Sequence, residues 1–249
     1  MGRYNSGSVI DRGLGNLAIM YMVKRYDKDR ALQFPPGLNF ELDDKEHAKT
    51  IIDKNLSKAY VFDCYQNLLQ LSFLYGGESF HFVTCDAEPK VINQPKSLIT
   101  VSSSERDTVA AALTFINTIH QEVDTVVTRG AVFAGWTINA DWAFLVNKAF
   151  AYKLDVPMSL TTDPMRTHST HEYMFNISSI YLQGVWSGSR NLPTLPDVLE
   201  YWGYGERDKY PTIKTQNDAV CTDPITASAC AEVYMTDMRA VVGDYYRRR

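Results

Sequence analysis

The stretch KAYVFDCYQNLLQLSFLYGG, Lys58–Gly77, decides the fold this chain is expected to take. Its polar residues Asp63, Gln66, Asn67 and Gln70 recur at i, i+3, i+4 and i+7, and nearly everything between them is apolar. That spacing is the period of an α-helix carrying one narrow polar seam. The Gly76-Gly77 pair supplies the stop that often ends a helix. Read this way, Lys58–Tyr75 is a largely buried helix whose seam faces a cleft or another polar surface.

Working outward, the same periodicity reads as helix in most of the chain. Leu14–Lys28 reads as a helix, and Asp43 with Glu46 forms a capping box that opens a short one through Lys54. Ser103 or Ser104 caps a helix from Glu105 to Gln121, with Val109, Leu113, Ile116, Ile119 and Val123 as its core stripe. Asn139–Leu154 and Thr170–Leu182 read as further helices, and Thr194 with Asp197 caps a short one ending at Gly203. The last helix, Ala227–Tyr246, carries Cys230, Tyr234, Met238, Val241 and Tyr245 on one face. Strand content is confined to Ser79–Cys85, to Val91–Val101 with Pro95 inside it, and to Asp124–Thr128, which reads as strand or helix end. The expected fold is mainly α with a small β element (α+β), with about seven helices and roughly two to four short strands. No parallel βαβ repetition is read, and residues 1–249 are expected to form one domain.

Composition narrows the function classes. Apolar residues are 45% and charged residues 22%, as in an ordinary globular chain long enough to bury a core. A net charge of -4 argues against a surface that coats nucleic acid as a whole, while leaving room for a local basic patch. The four cysteines, Cys64, Cys85, Cys221 and Cys230, form no CxxC pair, so metal-knuckle and redox motifs are absent. With no signal-peptide pattern and no apolar run of membrane-spanning length, the expectation is an intracellular, cytoplasmic protein, or a virion component, without membrane contact.

The short motifs carry little chemistry. Gly13-Leu14-Gly15-Asn16-Leu17-Ala18 fits GxGxxA, but a dinucleotide site needs a buried strand before it and a βαβ unit after it, and neither is read. His168, His171 and Glu172 form HxxHE, which matches neither HExxH nor HxxEH. They stay weak metal candidates, better read as an exposed polar helix start. In Gly184-Val185-Trp186-Ser187-Gly188 the serine misses the middle position of a nucleophile elbow, and no SxxK or P-loop pattern occurs. No catalytic residue and no cofactor is assigned.

The remaining signal is the aromatic, Pro- and Gly-rich segment 184–211. Trp186, Tyr201, Trp202, Tyr204 and Tyr210 are rigid side chains suited to an interface. Arg190, Arg207 and Lys209 are interleaved with them, and Arg247, Arg248 and Arg249 close the chain, so nucleic-acid contact is a second use for the segment. The expected function is a non-catalytic structural or assembly subunit that self-associates or packs with other subunits, of the viral coat, capsid or nucleoprotein kind. The alternatives are an enzyme whose site is assembled from dispersed His and carboxylate residues, and an adaptor or single-stranded nucleic-acid-binding module. A basic groove beside the aromatic segment would mark the last of these.

Overall fold

The computed structural model of the chain describes residues 16–26, 66–121, 131–156, 174–182 and 193–248. Their centre is a seven-stranded mixed sheet of β1 (Leu17–Tyr26), β2 (Gln66–Tyr75), β3 (Glu78–Thr84), β4 (Lys90–Gln94), β5 (Ser97–Ser102), β6 (Val132–Gly135) and β7 (Met174–Asn176). Across the sheet the order is β4-β5-β3-β2-β1-β6-β7. The expectation of a mainly α protein is overturned: this is an α/β fold.

The two segments that misled the periodicity argument are the central strands. Lys58–Tyr75 reads as helix, yet 66–75 is β2, and Leu14–Lys28 reads as helix, yet 17–26 is β1. A strand covered on both faces is apolar without alternation, so its sequence does not separate it from a buried helix. The register between β1 and β2 also shifts between Val23 and Lys24, which pair with Gln70 and Leu68 and leave Leu69 as the extra residue of a bulge. The bulge brings Leu68 onto the core side of Leu71 and Phe73 and blurs the two-residue period further. Gly76-Gly77 is a hairpin turn rather than a helix stop. Tyr75 pairs with Glu78, and both glycines have positive φ, 61° and 87°, as a type I′ turn demands.

Ser79–Cys85 matches β3 closely, whereas Val91–Val101 is two strands, β4 and β5, turning at Pro95 and Lys96, the latter at φ 63°. β1, β3, β5, β6 and β7 all run one way, because β1–β6, β6–β7 and β3–β5 pair in parallel and β2 is antiparallel to both β1 and β3. The missed crossovers run through α1 (Glu105–Gln121) and α2 (Ile138–Ala151). The expectations at Asp43–Lys54 and Asp124–Thr128 lie outside the described residues, as do 170–173 of Thr170–Leu182. The rest of that segment is β7 and α3 (Ser178–Leu182).

The helices sort to the two faces by what they cover. α1 and α2 close one face over Phe73, Phe133, Val109, Ile116, Phe144 and Leu145, all fully buried. Each such side chain contributes about 1.5–3 kcal/mol relative to exposure. The other face is covered by α4 (Leu195–Tyr201), α5 (Ile213–Thr222) and α6 (Pro224–Arg247), which bury Ile19, Leu199, Val220, Met235, Met238 and Val242. Asp223 separates α5 from α6: its carboxylate accepts from the Ile225 amide at 3.0 Å, and Pro224 opens the new helix. α5 falls in a stretch that reads as merely polar. Thr212 caps it, accepting from the Thr215 amide at 3.1 Å.

Candidate functional site

The carboxyl ends of the five co-directional strands share one side of the sheet, which is where open α/β sheets place their ligand crevices. A cleft of about 630 Å³ opens there. Its floor is the end of β1, Tyr21 to Lys24, beside Gln66 at the start of β2. Its far wall is the chain from the start of α4 to α5: Thr194, Leu195 and Pro196, then Arg207, then Pro211, Thr212, Lys214 and Gln216. Tyr21 and Gln216 lie 195 positions apart in sequence, and their side chains meet in a hydrogen bond, the Tyr21 hydroxyl donating to Gln216 Oε1 at 2.5 Å.

A short network holds the wall to the floor. Gln216 Nε2 donates to the Pro211 carbonyl at 2.9 Å, and the Tyr234 hydroxyl of α6 donates to the same carbonyl at 2.7 Å. The Tyr21 and Tyr234 rings stack at 4.8 Å with 10° between their planes. Burial first, and the neighbouring Tyr234 second, push the Tyr21 hydroxyl well above its ordinary range. Both phenols are thus neutral donors near neutral pH, with no basic role.

Three cations line the cleft, Lys24, Arg207 and Lys214, and among the described residues no carboxylate does. Two carboxylates stand just behind. Lys24 Nζ lies 2.8 Å from Asp141 at the start of α2 and 4.6 Å from the Phe144 ring centre, so it is held from below. Arg207 Nε lies 2.9 Å from Asp197 Oδ1. A hydrogen bond from the Thr194 hydroxyl, and then the Arg207 charge, hold the Asp197 carboxyl below its usual range. The apolar walls, Met22, Val23, Leu195, Pro196 and Pro211, leave the cleft amphipathic: cations for an anion, and flat apolar surface for a ring.

The described part of the aromatic segment turns mostly inward. Tyr210 is buried, and its hydroxyl donates to Asp237 Oδ2 at 2.8 Å, beside Lys209 Nζ at 2.7 Å from the same oxygen. The Tyr204 hydroxyl donates to Asp244 Oδ2 at 2.8 Å and is pushed up to about 12, by burial first and by Asp244 second. Trp202 is half-buried against the α6 face of the core. Tyr201 is the exposed one, at 79%. Of the expected basic contacts, Arg207 reaches the cleft, Lys209 is taken by Asp237, and Arg247 pairs with Asp244. Arg248 lines a smaller cavity of about 310 Å³ with Trp202, Tyr204 and Tyr245.

Trp186, Arg190, Arg249, the weak metal candidates His168, His171 and Glu172, and Asp63 lie outside the described residues. Among the described residues no group of three His, Cys, Asp or Glu is placed to hold a metal ion, and no helix is long and apolar enough to cross a membrane. Of the polar seam, Gln66 reaches the cleft. Gln70 instead lies buried under α6, donating to Ser72 Oγ at 2.9 Å and to the Ala227 carbonyl at 3.3 Å. The cleft residues that sequence reasoning missed are Tyr21, Lys24, Thr212, Lys214 and Gln216. Only the Thr-x-x-Thr start of α5 carried a local signal, that of a helix cap. Comparison with known proteins finds no family model that matches the chain and no curated protein similar to it.

Proposed function

We propose that this protein binds single-stranded nucleic acid, with a nucleotide seated in the cleft between β1 and α5. The observation that carries the reading is the composition of that cleft: Lys24, Arg207 and Lys214 with, among the described residues, no lining carboxylate, over a floor that includes Tyr21, between proline walls. Phosphates need cations, and bases need flat apolar or aromatic surface. The volume of about 630 Å³ suits one nucleotide with its flanking phosphates. The net charge of -4 argues against binding by the surface as a whole and leaves a local patch such as this one.

The test is fluorescence anisotropy with a short labelled oligothymidylate across a salt series. Lys214 is exposed on the first turn of α5, so its replacement should leave the fold intact. Lys214→Glu should weaken binding roughly five- to tenfold and flatten the salt dependence by about 0.7 in log–log slope, the loss of one phosphate contact on a single strand. Wild-type protein that leaves the probe tumbling freely at low salt would end the proposal. A second reading, self-association as a structural subunit, is favoured by the exposure of Tyr201 alone among the described aromatics of the segment. Its test is solution mass by light scattering, and a monomer at high concentration would remove it.

A further inference from the structure

The cleft's reading as a nucleic-acid site is the premise of this inference. Arg207 enters the cleft from a single 3-10 turn, Arg207–Lys209, whose backbone is fixed from behind. Lys209 Nζ binds Asp237 at 2.7 Å and the Tyr204 carbonyl at 3.3 Å, and Tyr210 binds the same Asp237 oxygen. The turn packs tightly on Gly205, where a Cβ would lie 2.7 Å from Lys209 Cδ and 3.1 Å from the Tyr210 hydroxyl oxygen. The Arg207 amide donates to Glu200 Oε1 at 3.1 Å. What remains able to change partner is the guanidinium, held through Nε by Asp197 on a side chain that is 41% exposed.

We propose that Asp197 is a built-in competitor for the ligand's phosphate: it occupies Arg207 in the empty cleft and yields it when nucleic acid binds. A carboxylate and a phosphate seek the same donors of a guanidinium, so the two compete for one group. Asp197 is 50% exposed, and exposed ion pairs are weak enough to exchange. The Lys24–Asp141 pair is more enclosed, at 21% and 16%, and stays closed. The three lining cations therefore differ in role. Lys214 meets the ligand first, Arg207 is released to it, and Lys24 contributes a fixed field.

The test compares Asp197→Asn with Asp208→Asn on the same oligothymidylate probe. Asp208 is exposed on the Arg207 turn and stands outside the Asp197–Arg207 pair, so its replacement makes the same change in net charge. Asp197→Asn should bind about two- to fivefold more tightly, the scale of one exposed ion pair, and should leave the salt slope unchanged, because Arg207 meets the phosphate in both proteins. Asp208→Asn should move affinity less and leave the slope unchanged. Equal gains in both variants would reduce the effect to net charge and overturn the proposal. Weaker binding by Asp197→Asn would overturn it the other way, making Asp197 a support for Arg207. If neither wild type nor Asp197→Asn binds, the reading of the cleft falls and takes this inference with it. If wild type binds and Asp197→Asn binds no better, the inference alone falls.

Discussion

Replacing Asp237 with Ala tests whether the aromatic segment is fastened to α6 as described. Asp237 is 6% exposed, and one of its oxygens accepts from both Tyr210 and Lys209. Removing the carboxylate does not strand a buried lysine, because Lys209 is 42% exposed and turns to water, so that pair contributes at most about 1 kcal/mol. The Tyr210 hydroxyl is the greater loss. Its residue is 3% exposed, and an unsatisfied buried hydroxyl costs about 1–3 kcal/mol. The sum is about 1–4 kcal/mol, which lowers the melting temperature of a chain this long by roughly 2–16 °C. Tyr210→Phe removes the hydroxyl but keeps the ion pair, and should cost about 1 kcal/mol. Urea denaturation of both single variants and the double variant closes the cycle, and the double variant should be less destabilised than the sum of the singles. Additive costs, or an Asp237→Ala variant within about 0.5 kcal/mol of wild type, would refute the fastening. The Tyr210 hydroxyl is pushed up by burial first and by Asp237 second. A raised folded value means that its stabilisation is complete below about pH 10 and fades as the pH climbs beyond it. The difference between wild type and Tyr210→Phe should shrink there.

The remaining predictions address the sheet. Gly77→Val should cost about 1–2 kcal/mol by denaturation, because φ of 87° is hostile to a branched side chain, whereas Gly76→Asn at φ 61° should be nearly neutral. A silent Gly77→Val would contradict the positive φ that the hairpin turn requires at this position. Glu232 of α6 reaches the fully buried His81 of β3, with the carboxylate 3.2 Å from Nε2. That hydrogen bond, the largest cause, holds the Glu232 carboxyl below its usual value. A depressed carboxyl stabilises the fold above its unfolded value of about 4.3 and loses that contribution as the pH falls through the folded value. Melting curves of wild type and Glu232→Gln should therefore converge in acid, and a gap that stays constant to pH 3 would exclude the contact as a source of stability.

The helices α1 and α6 were legible because each has one wet face. α1 and α6 carry apolar residues at helical spacing, and both occur within a few residues of their expected ends. The adjoining strands β1 and β2 were not legible, because helices cover both of their faces. β1 reads LAIMYMVKRY, and residues on alternate sides pack against different helices: Ala18 and Met20 under α1 and α2, Leu17 and Ile19 under α6. Periodicity needs a polar partner set to become visible, and two-sided burial removes it. Gln70, Ser72 and His81 are the exceptions, and Gln70 misleads in its turn as a member of the expected polar seam. They are buried polar groups satisfied by one another and by the Ala227 carbonyl, so their polarity marks an internal network rather than a solvent seam. The cleft was hidden for a different reason. Lys24 closes an apolar run and Lys214 sits in a polar one, and only the sheet order and the return of α5 across β1 bring them together.

The aromatic segment shows why composition alone does not separate an interface from a fold. The residues that suit a partner's surface also suit the chain's own, and the distinction lies in who supplies the complement. Here α6 supplies it. Tyr204 bonds Asp244 and Tyr210 bonds Asp237, so the segment runs forward as the helix runs backward, and the two carboxylates lie seven residues, about two turns, apart on one side of α6. Tyr234, three residues before Asp237 and therefore on the same side, completes the line by holding Pro211. Three hydroxyls, each satisfied within the chain, tie 204–211 along the helix and leave Arg207 on the opposite side, facing the cleft. The inward turn of the tyrosines and the outward reach of Arg207 are consequences of one antiparallel seam. Loosening the seam at Asp237 should therefore weaken oligonucleotide binding as well as stability, whereas loosening the sheet turn at Gly77 should lower stability and leave the affinity of the folded protein unchanged.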